Sequence, residues 1–192
     1  MVTKVSISYG EAAARIQTGW IGLYRGRAYF SQLIEIATGG PYSHASMFRR
    51  NEWNSIDVLE LVQIHGGRCI PLENVAISEP DTIDVYSINL KRFPEFDCDK
   101  AAEYMRSLTG KPYGYRGVGR LALQKVPLLW RLWPLSTDDL LDTKQAPFCS
   151  HAVCTAARIG GGIDPVPNKP DSYTSPNDLS QSWLFKYEFT IN

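Results

Sequence analysis

The sequence predicts an α+β fold, an antiparallel sheet with a helix that begins at Cys149 packed against it. Three observations predict it. Ile56 to Ile64 alternates and Thr82 to Ile88 is rich in β-branched and aromatic residues, as strands are. Tyr42-Ser43-His44-Ala45-Ser46-Met47-Phe48 alternates polar and apolar positions in the same way, with His44 near its start. Ala146-Pro147-Phe148-Cys149-Ser150-His151-Ala152-Val153-Cys154 reads instead as a helix start. Pro147 cannot sit inside a helix, and the residues from Cys149 to Ala157 are small and apolar.

From the N-terminus, Ser8 to Thr18 has the composition of a short helix ended by Gly19, and Trp20 to Arg25 that of a strand broken by Gly26. Ala28, Tyr29, Leu33, Ile36 and Ala37 give a helical face, closed by Thr38-Gly39-Gly40-Pro41, which turns the chain into the His44 strand. Arg49 to Asn54 is a polar hairpin turn. In the next strand Ile56, Val58, Glu60 and Val62 share one face, with Asp57, Leu59, Leu61 and Gln63 on the other. Gly66-Gly67 breaks that strand, and Arg68 to Leu72 reads as the start of a connection. Asp97 to Leu108 is helical, with Ala101, Ala102, Tyr104, Met105 and Leu108 as its buried stripe and Gly110 as its cap. Lys111 to Tyr115 is a loop. The helix from Cys149 runs to Arg158 and stops at Gly160-Gly161-Gly162. A Pro/Asn/Ser/Asp-rich stretch from Asp164 to Asn177 follows, then a last helical turn from Ser175 to Leu179, and Trp183 to Phe189 closes the chain as a strand.

One domain spanning residues 1–192 is expected, long enough to bury a core. Lys and Arg number 20 against 20 Asp and Glu, so no electrostatic footprint for nucleic acid is present. The first residues carry no apolar core of a signal peptide, and no apolar run approaches the roughly 18 residues of a membrane span. A reduced, cytoplasmic setting is the expectation. Cys69, Cys98, Cys149 and Cys154 show no metal-binding spacing, and neither a metal nor another cofactor is expected.

A cysteine on the first turn of a helix lies at the positive end of the helix dipole, beside unpaired backbone N–H groups. Both favour the thiolate, the nucleophilic form. Cys149 is therefore the candidate nucleophile, and Cys154, inside the same helix, a core residue. A cysteine at a helix start facing a strand histidine is the geometry of papain-like hydrolases, which makes His44 the candidate base. Glu60 would be costly to bury unpaired, so it either faces solvent on an exposed sheet surface or pairs with His44, and its place beside Val58 and Val62 favours the pairing. His65, beside Gly66 at a strand end, reads as solvated. His151 cannot point the same way as Cys149 and is expected at the rim. The apolar segment Leu121 to Trp133, interrupted by Pro127, reads as core or as a lid that touches membranes peripherally.

Gly22-Leu23-Tyr24-Arg25-Gly26, Ser31, Thr38-Gly39-Gly40-Pro41-Tyr42-Ser43-His44 and Val58-Leu59-Glu60 form an ordered series. Gly110-Lys111-Pro112-Tyr113, Phe148-Cys149-Ser150 and Ser175-Pro176-Asn177-Asp178-Leu179 continue it. The series resembles the circularly permuted papain-fold hydrolases of the NlpC superfamily, in its YiiX-like branch, over nearly the whole chain. One departure is His151, where these hydrolases often carry an acidic residue. The resemblance implies a permuted papain-like fold and a cysteine peptidase or amidase cleaving an amide, peptide or isopeptide bond through an acyl-enzyme. A cell-wall peptide is one such substrate. Cys149 would be nucleophile, His44 general base and acid, and Glu60 the residue orienting His44. The Cys149 N–H would serve the oxyanion hole. Tyr42, Ser43, Ser150 and His151 would contact substrate, with Tyr42 offering its hydroxyl. The alternatives are an acyltransferase or lipid hydrolase resembling the lecithin retinol acyltransferase branch, which typically has a second histidine in place of Glu60, and a catalytically silent peptide-binding module.

Overall fold

Seven strands form one sheet in the order β1-β7-β6-β2-β3-β4-β5 in the computed structural model, which describes residues 5–25, 40–78, 82–115 and 146–191. The strands are β1 (Ser6–Ile7), β2 (Ile21–Arg25), β3 (His44–Arg50), β4 (Ile56–Val62), β5 (Gly66–Pro71), β6 (Thr82–Ile88) and β7 (Phe185–Ile191). All pairings are antiparallel except β1 on β7, which is parallel. The helices are α1 (Tyr9–Arg15), α2 (Leu72–Ser78), α3 (Cys98–Ser107), α4 (Cys149–Thr155) and α5 (Pro176–Ser180). The α+β class is therefore as expected.

Local chemistry explains the helix ends. Ser8 caps α1 through a capping box with Glu11, Asp97 caps α3, and Ser175 caps α5 with Asp178. Helix α4 passes directly into a π-helical turn, Ala156–Gly160, before the glycines end it.

The sheet is covered on both faces. On one, Leu23, Ala45, Met47, Leu59 and Leu61 pack with Ala101, Ala102 and Met105 of α3 and with Ala152 and Val153 of α4. On the other, Tyr24, Phe48, Val58, Ile83 and Phe189 pack with Ala12 of α1, Ile16 at its C-terminal cap, and Leu72 and Val75 of α2. This is why β4 is buried on both faces, with Val58, Leu59, Glu60 and Leu61 all nearly inaccessible.

The sequence reading missed three elements. Strand β1 has two residues and no pattern to detect. The stretch read as a connection after Gly66-Gly67 is strand β5, followed at once by helix α2. The glycines do not break the ladder, because Gly66 takes a positive φ of 68° at the turn and still pairs with Val62. Strand β3 also runs to Arg50, so the hairpin turn occupies 51–55 rather than beginning at Arg49. The closing strand begins at Phe185, leaving Trp183 70% exposed beneath the Arg92 guanidinium. The expected helix from Ala28 to Ala37, Ser31, and the Leu121 to Trp133 segment lie outside the described residues. Among the described residues no helix is long and apolar enough to cross a membrane.

Candidate active site

Cys149 is the first residue of α4. Phe148, in extended backbone and 2% exposed, anchors the chain just before it. The Tyr113–Gly114 loop lies against this approach, with the Gly114 N–H donating to the Pro147 carbonyl at 3.0 Å. A Cβ on Gly114 would fall 1.9 Å from the Ala146 carbonyl oxygen, so only glycine permits the contact. The loop thereby delivers the Tyr113 hydroxyl to Cys149, where it hydrogen-bonds both the side chain and the backbone N–H.

His44 opens β3, opposite Tyr24 of β2, and its ring stands edge-on to Tyr24 at 5.0 Å between centroids. Its Nε2 is 2.7 Å from Oε2 of Glu60. That leaves Nδ1 as the ring nitrogen for the hydrogen bond between His44 and Cys149. Glu60 lies in mid-strand on β4, 3% exposed. Its other oxygen, Oε1, accepts from Arg68 of β5 through Nε at 2.8 Å and Nη2 at 2.7 Å. The structure thus brings together the three residues singled out for chemistry, Cys149, His44 and Glu60. It adds two that the sequence reading had left unassigned, Tyr113 and Arg68.

The electrostatics follow from the partners. Burial pushes the Cys149 thiol up, but the hydrogen bond and positive charge of His44, with the Ala45 and Ser150 backbone N–H groups, outweigh it and hold the thiol below its ordinary value. Burial opposes charging of His44, yet the hydrogen bonds and negative charges of Cys149 and Glu60 raise its pKa to about 10. Burial likewise pushes Glu60 up, and His44 and Arg68 together bring it below the usual carboxylate range. All three directions favour the same state: thiolate, imidazolium, carboxylate.

The flanking residues depart from expectation. Tyr42 precedes β3 instead of sharing its alternation with His44. The Asn177 side chain accepts from the Tyr42 N–H and donates to its carbonyl, both at 3.1 Å, holding Tyr42 off the ladder. The Tyr42 hydroxyl then donates to Asp84 at 2.6 Å in a buried network with Tyr86, so it is committed away from Cys149. Ser43 is 5% exposed, its hydroxyl 3.4 Å from the Tyr24 carbonyl. Ser150 is fully buried and donates its hydroxyl to the Thr174 carbonyl at 2.7 Å, leaving its backbone N–H as the group that serves the sulfur. His151, expected at the rim, is 4% exposed with its ring against Phe148, because α4 is packed on all sides. His65 is exposed.

Asn177 ties the Ser175–Leu179 stretch to the segment entering β3. Gly40 completes the clamp, since a Cβ there would lie 2.3 Å from Asn177 Oδ1. The sequence signal was the Ser-Pro-Asn-Asp-Leu run itself, which showed a helix start but not what its Asn would reach.

Donor atoms of Cys154, Asp164 and Asp171 lie within 4.8 Å of one another, a grouping that could hold a metal ion by distance alone. The chemistry does not fit. Asp171 Oδ1 already takes the Cys154 thiol at 3.1 Å, and Oδ2 takes Thr155 and both Nε and Nη2 of Arg158. Burial and the Asp171 charge raise the Cys154 thiol well above its ordinary value, which keeps it protonated, and a guanidinium beside the carboxylate repels a cation.

No family model matches the sequence, and no curated protein is significantly similar to it. Among solved structures, the crystal structure of YiiX from Escherichia coli O157:H7, described as a metalloprotein of the DUF1105 group, matches with a TM-score of 0.61. The match covers 90% of this chain and 96% of that one at 16% identity, so the likeness is one of fold.

Proposed function

We propose that this chain is a thiol-dependent hydrolase of amide bonds, built on a circularly permuted papain-like fold with the histidine strand ahead of the cysteine helix. The observation that carries the reading is the unbroken hydrogen-bonded series from Cys149 through His44 to Glu60, with the thiol lowered and the imidazole raised. A cysteine kept only as packing has no need of a buried ion pair. His44 on β3 comes ahead of Cys149 on α4 in the chain, the order the proposal requires, and the Glu60 position supports the amidase branch over the acyltransferase one.

In the proposed reaction the Cys149 thiolate attacks the carbonyl carbon of the amide. The oxyanion that forms is met by the Cys149 N–H and the Tyr113 hydroxyl, which already sit together at the sulfur. His44 gives its Nδ1 proton to the departing amine, and the C–N bond breaks to leave a thioester. Water then enters, His44 takes one of its protons, and the acid is released as the sulfur leaves. Glu60 holds the ring and stabilises its charged form. The metal named in the description of YiiX has no part in this proposal, since the Cys154, Asp164 and Asp171 group does not suit one.

Turnover of a panel of peptide, isopeptide and acyl-ester substrates by the wild type and by Cys149→Ala tests the reading. Hydrolysis of one amide class that disappears in Cys149→Ala is expected. Turnover retained in that variant would refute it, and exclusive cleavage of liposome-borne esters would move the protein to the lipid-acyl alternative.

A further inference from the structure

We propose that Arg68 is a positioning residue of the Cys149–His44–Glu60 series, holding Glu60 as an acceptor-only carboxylate so that the proton between them stays on His44 Nε2. The inference rests on the thiol-hydrolase reading above and adds a fourth member to its machinery.

The geometry is specific. Arg68 lies directly opposite Glu60 across the β4–β5 ladder. Its Nε and Nη2 both close on Oε1, at 2.8 and 2.7 Å, while His44 Nε2 holds Oε2 at 2.7 Å. Each oxygen therefore has its own cation, and rotation of the carboxylate would lose both. Two hydrogen bonds tie Gly67, the residue before Arg68, to the loop that delivers Tyr113: Gly67 N–H to the Lys111 carbonyl at 2.9 Å and Gly110 N–H to the Gly67 carbonyl at 2.8 Å.

The consequence lies in where two protons sit. The series can exist as thiol, neutral imidazole protonated on Nε2 and carboxylate. It can exist as thiolate, imidazolium and carboxylate. It can also exist as thiolate, neutral imidazole protonated on Nδ1 and carboxylic acid. All three hold the same number of protons. The third is unproductive, because the thiolate loses its counter-charge and a neutral imidazole is a poor acid towards a leaving amine. Burial of Glu60 favours that third form, since it neutralises a carboxylate removed from water. Arg68 opposes it, because its Nε and Nη2 bonds to Oε1 are charge-assisted only while Glu60 is a carboxylate. The groups facing Glu60 are His44 from β3 and Arg68 from β5, with Cys149 of α4 and Tyr113 beyond His44. Helix α2, packed over β4 and β5, adds Glu73, which is exposed to solvent. Arg68 is thus the one cation besides His44 that the carboxylate itself contacts among the described residues.

The test compares wild type, Arg68→Gln, Arg68→Lys, Glu60→Gln and the Glu60→Gln/Arg68→Gln double variant. Two readouts are taken: the pH dependence of Cys149 alkylation by iodoacetamide, and the ¹⁵N signals of the His44 ring. Arg68→Gln is expected to move the acid midpoint of alkylation upward by about one pH unit. It should also strip part of the proton from His44 Nε2 at neutral pH. Arg68→Lys, which keeps the charge but not the fork, should restore part of both. In the Glu60→Gln background the Arg68 substitution should add nothing. A folded Arg68→Gln or Arg68→Lys with unchanged midpoint and unchanged Nε2 overturns the proposal, as does an equal shift in the Glu60→Gln background. A wild-type Cys149 no more reactive than an ordinary thiol would instead refute the hydrolase reading, and the Nε2 signal would still decide the role of Arg68.

Discussion

Cys149 and Cys154 stand on one helix, one turn and a half apart, and both are buried, at 3% and 0% exposure. Their thiols nevertheless move in opposite directions, Cys149 down and Cys154 up. Burial raises both, so desolvation is not what separates them. The sign is set by the partner. Cys149 meets an imidazole that can carry positive charge and backbone N–H donors at the helix start. Cys154 donates to the carboxylate of Asp171, which penalises a second negative charge. A cysteine's chemistry here is thus a property of what the sheet and the following loop bring to it, not of the helix that holds it.

The sharpest way to break this comparison is to exchange the two thiols one at a time. Cys149→Ala should abolish alkylation at neutral pH and any amide hydrolysis, while Cys154→Ala should keep both. Equal loss from the two variants, read by mass spectrometry of the labelled protein, would erase the distinction.

Removing the partner should convert the first cysteine towards the second. His44→Ala is expected to reduce turnover by roughly 10²–10⁴-fold and to return the Cys149 thiol towards the protonated form. Thiolate absorbance near neutral pH that survives in this variant would show that the helix start alone suffices.

The pH profile sharpens the same point. A lowered thiol pKa means the thiolate persists below the ordinary value of 9.0, and a raised imidazole pKa means the imidazolium persists up to about 10. Alkylation of Cys149 should therefore plateau from below pH 9.0 up to about pH 10, falling on the acid side as the thiol reprotonates and changing again near pH 10 as His44 loses its proton. Cys154 should stay unlabelled across the whole range in the folded protein.

On the other side of the comparison, Asp171→Asn removes the charge that Arg158 bonds beneath α4. A loss of roughly 2–4 kcal/mol in denaturant unfolding is expected, below the fully buried case because the Arg158 side chain is 24% exposed. Ser150→Ala should cost least, about 1 kcal/mol for its hydrogen bond to the Thr174 carbonyl, with Cys149 reactivity intact. A large fall in reactivity would mean that the hydroxyl, and not only the backbone N–H, serves the sulfur.

Much of this was legible in the residues. Period-two runs give β3 and β4, β-branched and aromatic content gives β6, and the Pro-Phe-Cys start gives α4, because strand patterning and a helix's first turn are local events. The buried glutamate in β4 is also readable, since an acidic residue amid Val58, Leu59 and Leu61 needs a partner. Strand β5 escaped because Gly66-Gly67 reads locally as a break, whereas the tertiary ladder uses the positive φ of Gly66 for its turn. With β5 went Arg68, whose meaning depends on the register that sets it opposite Glu60. Tyr42 was misplaced for a similar reason: alternation holds only inside the strand, and Asn177, 135 positions further on, decides that the strand begins at His44.

What the sequence by itself determined is most of the sheet, the start of α4 and which residues carry reactive atoms, because propensity, periodicity and capping act over a few neighbours. What only the tertiary structure decided is which cysteine meets a base and which meets an acid, that Tyr113 rather than Tyr42 reaches the sulfur, and that Glu60 has a second cation. Those outcomes are charge and hydrogen-bond contacts between residues far apart in the chain, and no local pattern encodes them.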